Sequence, residues 1–302
     1  MDFRGVLAYP ITPLLGGGAI DHAELFSHVA QVCEAGPDGV VVLGTSGGFA
    51  YLSREERREV VETAVAAAQG TGVPVAAGIS AMTTAEVQRL AWDAENAGAD
   101  GYVLNALSYI PLTSAEVADQ VETLVQSTAL PLCVYNNPVT TGFDLPVELA
   151  ADLAELETVV AFKDTAADRE TFERRRAYLA ARRRPDELAH GLSSARLMLE
   201  EACPADAWHS GLVAFFPREF ARLFAVANGA EGGQEAERLR VALAGLNRVI
   251  MGIRPVSGLH ALARETGVAT APPRRPLGPV TRDDAETLAS AVAMVRWAAA
   301  DL

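Results

Sequence analysis

Short, nearly all-apolar runs alternate with longer amphipathic segments along most of this chain. The runs at 6–12, 39–44, 74–79, 101–106, 131–136 and 159–164 read as strands, and two weaker ones follow near 188–191 and 207–213. Between them apolar residues recur at helical spacing over 21–35, 53–69, 83–97, 113–126, 145–153, 168–182, 194–202 and 217–227. Ser53 and Thr113 each stand three residues before a glutamate, a capping-box signature that places two of the helix starts. Strands that are apolar along their whole length belong to a parallel sheet covered on both faces. Eight strand–helix repeats is the number that closes into a barrel. An open, doubly wound sheet is the alternative, but it usually carries a glycine fingerprint directly after its first strand. Here Gly16-Gly17-Gly18 lies several residues further on and reads as a flexible turn. After Asn228 the alternation stops, and 231–251, 255–265 and 281–300 read as helices, with a proline-rich stretch at 271–279. The expectation is an α/β protein: a (β/α)8 TIM barrel over residues 1–228, then a three-helix extension over 229–302.

Composition narrows the function classes. Half of the 302 residues are hydrophobic and only 6% aromatic, so the core should be Ala, Val and Leu packing. A formal charge of −14 argues against a nucleic-acid partner, which would need a basic face. Cys33, Cys133 and Cys203 are odd in number and widely spaced, as buried thiols in a reducing compartment would be. No basic segment followed by a long apolar stretch opens the sequence, and no apolar run approaches the length of a membrane span. A soluble, cytoplasmic protein is expected. Arg182-Arg183-Arg184 reads as a solvated helix end, since cations favour that terminus.

Of 25 lysines and arginines, only Lys163 is a lysine. Arginine serves for surface charge and carboxylate pairing but keeps its proton, whereas a buried lysine can become a neutral nucleophile. Lys163 also ends an apolar run, at the end of a strand where barrels place their chemistry. The same strand ends supply Thr12, Gly44-Thr45-Ser46-Gly47, Asn105, Tyr135-Asn136-Asn137, Gly191 and Ser210-Gly211. The five histidines, His22, His28, His190, His209 and His260, never fall two or four residues apart, so no metal is assigned. His190 and His209 lie near the ends of strands seven and eight, where they could line the site.

An amine near a carbonyl substrate forms an imine, whose positive charge draws electrons from the adjacent carbon. Such chemistry needs a proton shuttle, and Tyr135 on the neighbouring strand is placed to supply it. Thr45-Ser46 offers hydroxyls and glycine-freed N–H groups suited to a carboxylate. The plainer readings are a helix-capping turn for Thr45-Ser46, a barrel lining for Tyr135, and a chance survivor of an arginine-rich composition for Lys163.

Gly44-Thr45-Ser46-Gly47, Pro74-Val75-Ala76-Ala77-Gly78, Gly98-Ala99-Asp100-Gly101, Tyr135-Asn136-Asn137-Pro138 with Gly142, and Phe162-Lys163-Asp164 occur in order. Together, over about residues 5–217, they resemble the dihydrodipicolinate synthase/N-acetylneuraminate lyase family of pyruvate-dependent, Schiff-base class I lyases. The resemblance implies an aldolase-type lyase without a cofactor, acting on a 2-oxo acid and an aldehyde, and a homotetramer built as a dimer of dimers. It implies that Lys163 forms the imine, Tyr135 is the acid/base, Thr45 belongs to the proton relay and Ser46 binds the 2-oxo acid carboxylate. It also places Gly191 and His209 at pocket-lining positions.

Three positions depart from the family pattern. Thr140 stands where the synthase branch has an arginine for a substrate carboxylate, Gly48 replaces a glutamate, and Ala106-Leu107-Ser108-Tyr109 replaces a Pro-Tyr-Tyr segment. The tyrosine lent across the dimer interface is then either Tyr109, displaced by one, or absent. A hydroxyl cannot substitute for a guanidinium fork, so condensation with aspartate semialdehyde is not expected. A 2-oxo-3-deoxy acid dehydratase or hydratase-aldolase of the same family is the alternative. A non-catalytic barrel that binds a small acid is the alternative of another class.

Overall fold

A computed structural model describes residues 1–182 and 187–300. Among them eight parallel strands close into a barrel in chain order: β1 (Gly5–Ala8), β2 (Gly39–Val42), β3 (Val75–Gly78), β4 (Gly101–Asn105), β5 (Leu132–Asn136), β6 (Val159–Asp164), β7 (Ala189–Leu192) and β8 (Ala207–Ser210). The surrounding helices are α1 (His22–Glu34), α2 (Arg54–Ala68), α3 (Thr84–Asn96), α4 (Ser114–Val125), α5 (Pro138–Thr141), α6 (Val147–Leu153), α7 (Arg169–Ala180), α8 (Ala195–Leu199) and α9 (Pro217–Ala227). Three more follow, α10 (Gln234–Ile253), α11 (Pro255–Thr266) and α12 (Arg282–Ala298). This is the TIM barrel with C-terminal helices that the hydropathy pattern predicts.

Local chemistry sets the element ends. Ser53 and Thr113 form complete capping boxes with Glu56 and Glu116, satisfying backbone donors that the first turns of α2 and α4 leave open. At the N-terminal end of the barrel, aspartates that precede β2, β4 and β8 each accept from a backbone N–H of the strand before. The pairs are Asp38 with Val6 (2.7 Å), Asp100 with Val75 (2.8 Å) and Asp206 with His190 (2.9 Å). These bonds lie at the end of the barrel that stability, not chemistry, depends on.

Two apolar layers make the core. Phe3, Leu7, Val41, Ala76, Val103, Cys133, Ala161, Ala189 and Ala207 fill the barrel interior, while a larger cluster lies between strands and helices. Alternation along each strand therefore sends one residue inward and the next to the helices.

Several predicted boundaries differ. The run at 6–12 leaves the ladder after Ala8, although Tyr9 and Ile11 stay buried. The run at 207–213 ends as a strand at Ser210 and continues as a 3₁₀ turn, Gly211–Ala214. The helix predicted at 194–202 stops at Leu199, and α5 is a short helix the pattern did not announce. The Gly16-Gly17-Gly18 run turns between Leu14 and Ile20, which bridge antiparallel. Arg182 closes α7, while Arg183 and Arg184 lie outside the described residues.

The last helices reach the mouth of the barrel. α10 packs on α11 and α12 and also on α8 and α9. Arg274, in the proline-rich stretch, donates to the carbonyl of Gly18 (2.8 Å), to that of Tyr51 (2.9 Å) and to Glu56 (2.8 Å). The helical extension is thereby tied to the loops that follow β1 and β2.

Candidate active site

The inward positions at the C-terminal end of the barrel bring the candidate residues together. Register pairs Asn105 with Tyr135, Tyr135 with Lys163, and Lys163 with Gly191. All stand on the same face as Val103, Cys133, Ala161 and Ala189, and hence point into the barrel. Lys163 is 6% exposed, and its Nζ sits 3.8 Å from the ring centre of Tyr9 and 4.0 Å from that of Tyr135. Burial pushes its pKa from 10.5 down to about 7. The two ring faces attract a cation, but an attraction of about 0.5–2 kcal/mol does not outweigh full desolvation.

Tyr135 lies beside the amine with its oxygen already engaged. Asn137 Nδ2 (2.9 Å) and Ser193 Oγ (3.1 Å) both donate to it, and the buried Thr165 hydroxyl lies beside it. Burial raises its pKa, and those hydrogen bonds pull the other way. On the far side of Lys163, the Tyr9 hydroxyl is 2.8 Å from His209 Nδ1. Burial holds Tyr9 protonated, and burial together with the Lys163 charge holds His209 neutral. A phenol that donates to Nδ1 leaves one orphan, the Nε2–H, whereas the reverse tautomer strands both an acceptor and the phenol proton. The first arrangement is the cheaper. Gly191 is bare because a Cβ there would stand 2.5 Å from His209 Nε2.

Gly44-Thr45-Ser46-Gly47 forms the turn after β2. Leu43 enters it with φ 58°, a strained conformation for a leucine, and its carbonyl lies so close to Gly78 that a side chain there would collide. Among the described residues the N–H groups of Thr45 and Ser46 have no backbone acceptor. Gly47 is held by Thr12, whose hydroxyl donates to its carbonyl at 2.9 Å. Ser46 Oγ packs against bare Gly211 after β8, where Leu259 of α11 also arrives. Thr45 is exposed at the mouth, and the partners of Tyr135 are Asn137 and Ser193, not Thr45. Gly48 has φ 66° with open space around it, so its left-handed backbone, not crowding, favours glycine.

Two residues near the strand ends face away. His190 stacks on Phe172 (ring centres 4.5 Å apart) and lies 3.3 Å from Asp164, on the helix side of the sheet. The expectation that it could line the site is corrected by the strand's phase: Gly191 points in, so His190 points out. Asp164 also receives Arg175 (2.9 Å) and Asn136 (3.1 Å), and both of these reach Asp144. Burial opposes ionisation of Asp164, but His190, Arg175 and Asn136 outweigh it and hold the carboxyl below its usual range.

The remaining predicted residues sit at the rim. Thr140 is exposed on α5 and its hydroxyl leans on the carbonyl of Asn137 at 3.4 Å. Tyr109 is 90% exposed, on the loop whose Pro111 abuts Gly142. Among the described residues no group of three or more His, Cys, Asp or Glu side chains could hold a metal ion. No described helix is long and apolar enough to cross a membrane. Sequence reasoning missed Tyr9 as a site residue and gave Asn137 and Ser193 no role toward Tyr135. The signal for Tyr9 was an aromatic two residues beyond inward Leu7.

The fold is thus a closed eight-stranded barrel with a buried amine at the end of one strand. Residues 2–295 match the Dihydrodipicolinate synthetase family, and the chain belongs to it. A curated relative, the 4-hydroxy-tetrahydrodipicolinate synthase of Natronomonas pharaonis, is 37% identical over 166 residues, 55% of this chain and 56% of that protein. The matched part thus spans about half the length of such relatives. Among solved structures, dihydrodipicolinate synthase from Agrobacterium tumefaciens is similar with 31% identity and a TM-score of 0.88, covering 97% of this chain and 98% of that one. The chloride-inhibited dihydrodipicolinate synthase of Acinetobacter baumannii, complexed with pyruvate, shares 26% identity with a TM-score of 0.88, over 97% and 99% of the two chains.

Proposed function

We propose that this protein is a class I lyase that forms an imine between Lys163 and pyruvate and makes or cleaves a carbon–carbon bond to an aldehyde. The observation that carries this reading is the buried amine between two aromatic rings at the end of β6, held near pKa 7. At neutral pH about half of such an amine is unprotonated, roughly a thousandfold more than for an ordinary lysine.

Neutral Lys163 attacks the 2-oxo carbon, and the carbonyl oxygen takes up a proton to give a carbinolamine. Tyr135 delivers a proton to the departing hydroxyl, which leaves as water as the imine forms. Loss of a C3 proton yields an enamine that adds to the aldehyde carbon; hydrolysis then frees Lys163, and the reverse sequence cleaves the bond. The N–H groups and hydroxyl of Thr45-Ser46 hold the pyruvate carboxylate, with Thr45 in the proton relay, while Gly191 and His209 line the pocket.

Thr140 supports a substrate other than aspartate semialdehyde. Its exposed hydroxyl is at the rim where the family's synthase branch asks for a guanidinium. A missing charged hydrogen bond of this kind costs about 1.5–3 kcal/mol, so an aldehyde that is neutral or hydroxylated should be the better partner. Tyr109, Ile110 and Val139 are 90%, 72% and 86% exposed near this rim. We read that apolar edge as covered by a second copy in a homotetramer, with Tyr109 lent to the neighbouring site. Residues 1–228 act as the catalytic barrel and 229–302 as its helical support, in the cytoplasm.

Incubation with pyruvate and borohydride should add one reduced pyruvyl group to Lys163, read by peptide mapping. An unmodified Lys163 at saturating pyruvate would sink this reading.

A further inference from the structure

The layer of the barrel just beneath the lysine is apolar, from Leu7, Val41, Ala76 and Val103 to Cys133, Ala161, Ala189 and Ala207. At the level of the amine this changes. Tyr9 is 2% exposed and His209 1%, and among the described residues the side chain of each hydrogen-bonds to the other. A phenol and an imidazole in such a place lose solvation that an aliphatic pair would never have needed. The chain also omits side chains to make room for them: a Cβ on Gly44 would stand 2.7 Å from the Tyr9 ring, and one on Gly191 would strike His209. Two bare positions, two buried polar groups and one ring face 3.8 Å from Nζ converge on the same side of Lys163.

We propose that Tyr9, locked in place by His209, is a positioning residue for Lys163: its ring shuts water away from the amine and holds it against Tyr135. The ring does the shielding and the hydroxyl does the locking, since the hydroxyl points to His209 and the face to Nζ. Without the ring, Nζ would have one aromatic wall, not two, and water would reach it from β1. The ionisable groups that face the amine are Tyr9 from the loop just after β1, Cys133 and Tyr135 from β5, and His209 from β8. Both phenols and the thiol stay protonated and His209 stays neutral, so the protonation of Lys163 around neutral pH is its own. Asp164 and its partners lie across the strand, on the helix side.

The proposal rests on the imine reading, but its test does not need pyruvate. Lys163 is the one lysine, so reductive methylation by formaldehyde and cyanoborohydride gives a single side-chain signal, with the N-terminal amine as internal control. Its rate against pH should show a midpoint near 7 in the wild type. Tyr9→Ala should raise that midpoint by about one pH unit or more, and should slow pyruvate–borohydride trapping at pH 7 by roughly tenfold or more. Tyr9→Phe keeps the ring and should keep the midpoint, while an unlocked ring slows trapping by a few-fold. His209→Gln, which leaves Tyr9 in place but unlocks it, should behave like Tyr9→Phe and stands in if Tyr9→Ala does not fold. An unmoved midpoint in folded Tyr9→Ala, a Phe variant as impaired as Ala, or unchanged trapping in both Tyr9→Phe and His209→Gln would overturn the proposal. Absence of pyruvate trapping in the wild type would instead remove the imine reading, and the methylation midpoints would still decide the role of Tyr9.

Discussion

Lys163 and Asp164 are neighbours on β6, both buried, and the protein treats them in opposite ways. Asp164 faces the helices, where Arg175, His190 and Asn136 close around it and keep it ionised. Lys163 faces the barrel, where it meets two rings and a thiol and loses its tendency to hold a proton. A buried charge with its partners is a structural device, because each partner repays part of the desolvation. A buried amine with no counter-ion is costly to the fold and marks a candidate for chemistry that needs it neutral. The strand separates the two roles by a single residue because successive side chains point to opposite faces.

The sharpest break of that comparison is Lys163→Met, which should abolish imine trapping and turnover entirely while making the protein more stable. Below about pH 7 the folded protein carries Lys163 charged at the full cost of burial. Between about 7 and the ordinary lysine value near 10.4, the folded form has released its proton and the unfolded chain has not. Wild-type stability should therefore rise with pH in that window, by at most about 1.4 kcal/mol per unit from this group. The gain from Lys163→Met should be largest below pH 7, a few kcal/mol at most, and should close by about pH 10.4. Denaturation midpoints measured across that range check both the sign and the window. A variant that is less stable than wild type at pH 6 would contradict the reading of Lys163 as an unpaired burden.

Asp164→Asn is the opposite experiment and should cost stability. It leaves Arg175 half-paired, with Asp144 alone, and removes the carboxylate that His190 faces. Breaking a buried pair of this kind costs about 3–5 kcal/mol, seen as a lower denaturation midpoint, and the pH dependence of Lys163 methylation should not change.

How much of this was legible beforehand follows from what hydropathy reports. The strand prediction at 159–164 coincides with β6, because an apolar run ending in Lys-Asp marks its own limit, and 217–227 coincides with α9, which opens on Pro217. The runs at 6–12 and 207–213 overshoot because apolarity follows burial, not ladder bonds. Ile11, Leu212 and Val213 are buried without being strand residues. That overshoot also hid Tyr9, which read as one more strand residue although its ring centre stands 3.8 Å from Lys163 Nζ. His190 was misjudged for a related reason: in so short and weak a strand, a one-residue error of phase exchanges the inner and outer faces. Lys163 and Tyr135 could be picked out because amine and phenol are chemically rare in an apolar strand, whereas the support of Tyr135 by Ser193 comes from a loop 58 residues away and leaves no local pattern.

Within the inner layer, Tyr135→Phe tests the proton path. The phenyl ring retains the second wall of the amine and loses only the hydroxyl that Asn137 and Ser193 address. Imine formation should slow by roughly a hundredfold or more, the usual contribution of a placed general acid. The methylation midpoint of Lys163 should stay near its wild-type value. An unchanged rate of borohydride trapping would assign the proton to another group.

The smallest expected effect concerns the empty position between the two inner histidine and lysine walls. Gly191→Ala places a methyl group 2.5 Å from His209 Nε2 and 3.0 Å from the Ala207 side chain, so the imidazole must move. Its one anchor is Tyr9, and a displaced imidazole lengthens or breaks the 2.8 Å bond to the phenol. Forcing one extra carbon into a packed interior costs about 1–3 kcal/mol, read as a lower denaturation midpoint. The mirror position on the outer face is His190, which already fills its space against Phe172 and Asp164, so Gly191 marks the one side of β7 where a missing side chain is used. Alanine at 191 should also slow trapping by a few-fold through the unlocked ring, as His209→Gln does, and the two substitutions combined should cost less than the sum of each alone. Additive losses would mean that Gly191 acts on Lys163 directly, across the β6–β7 register, and not through His209.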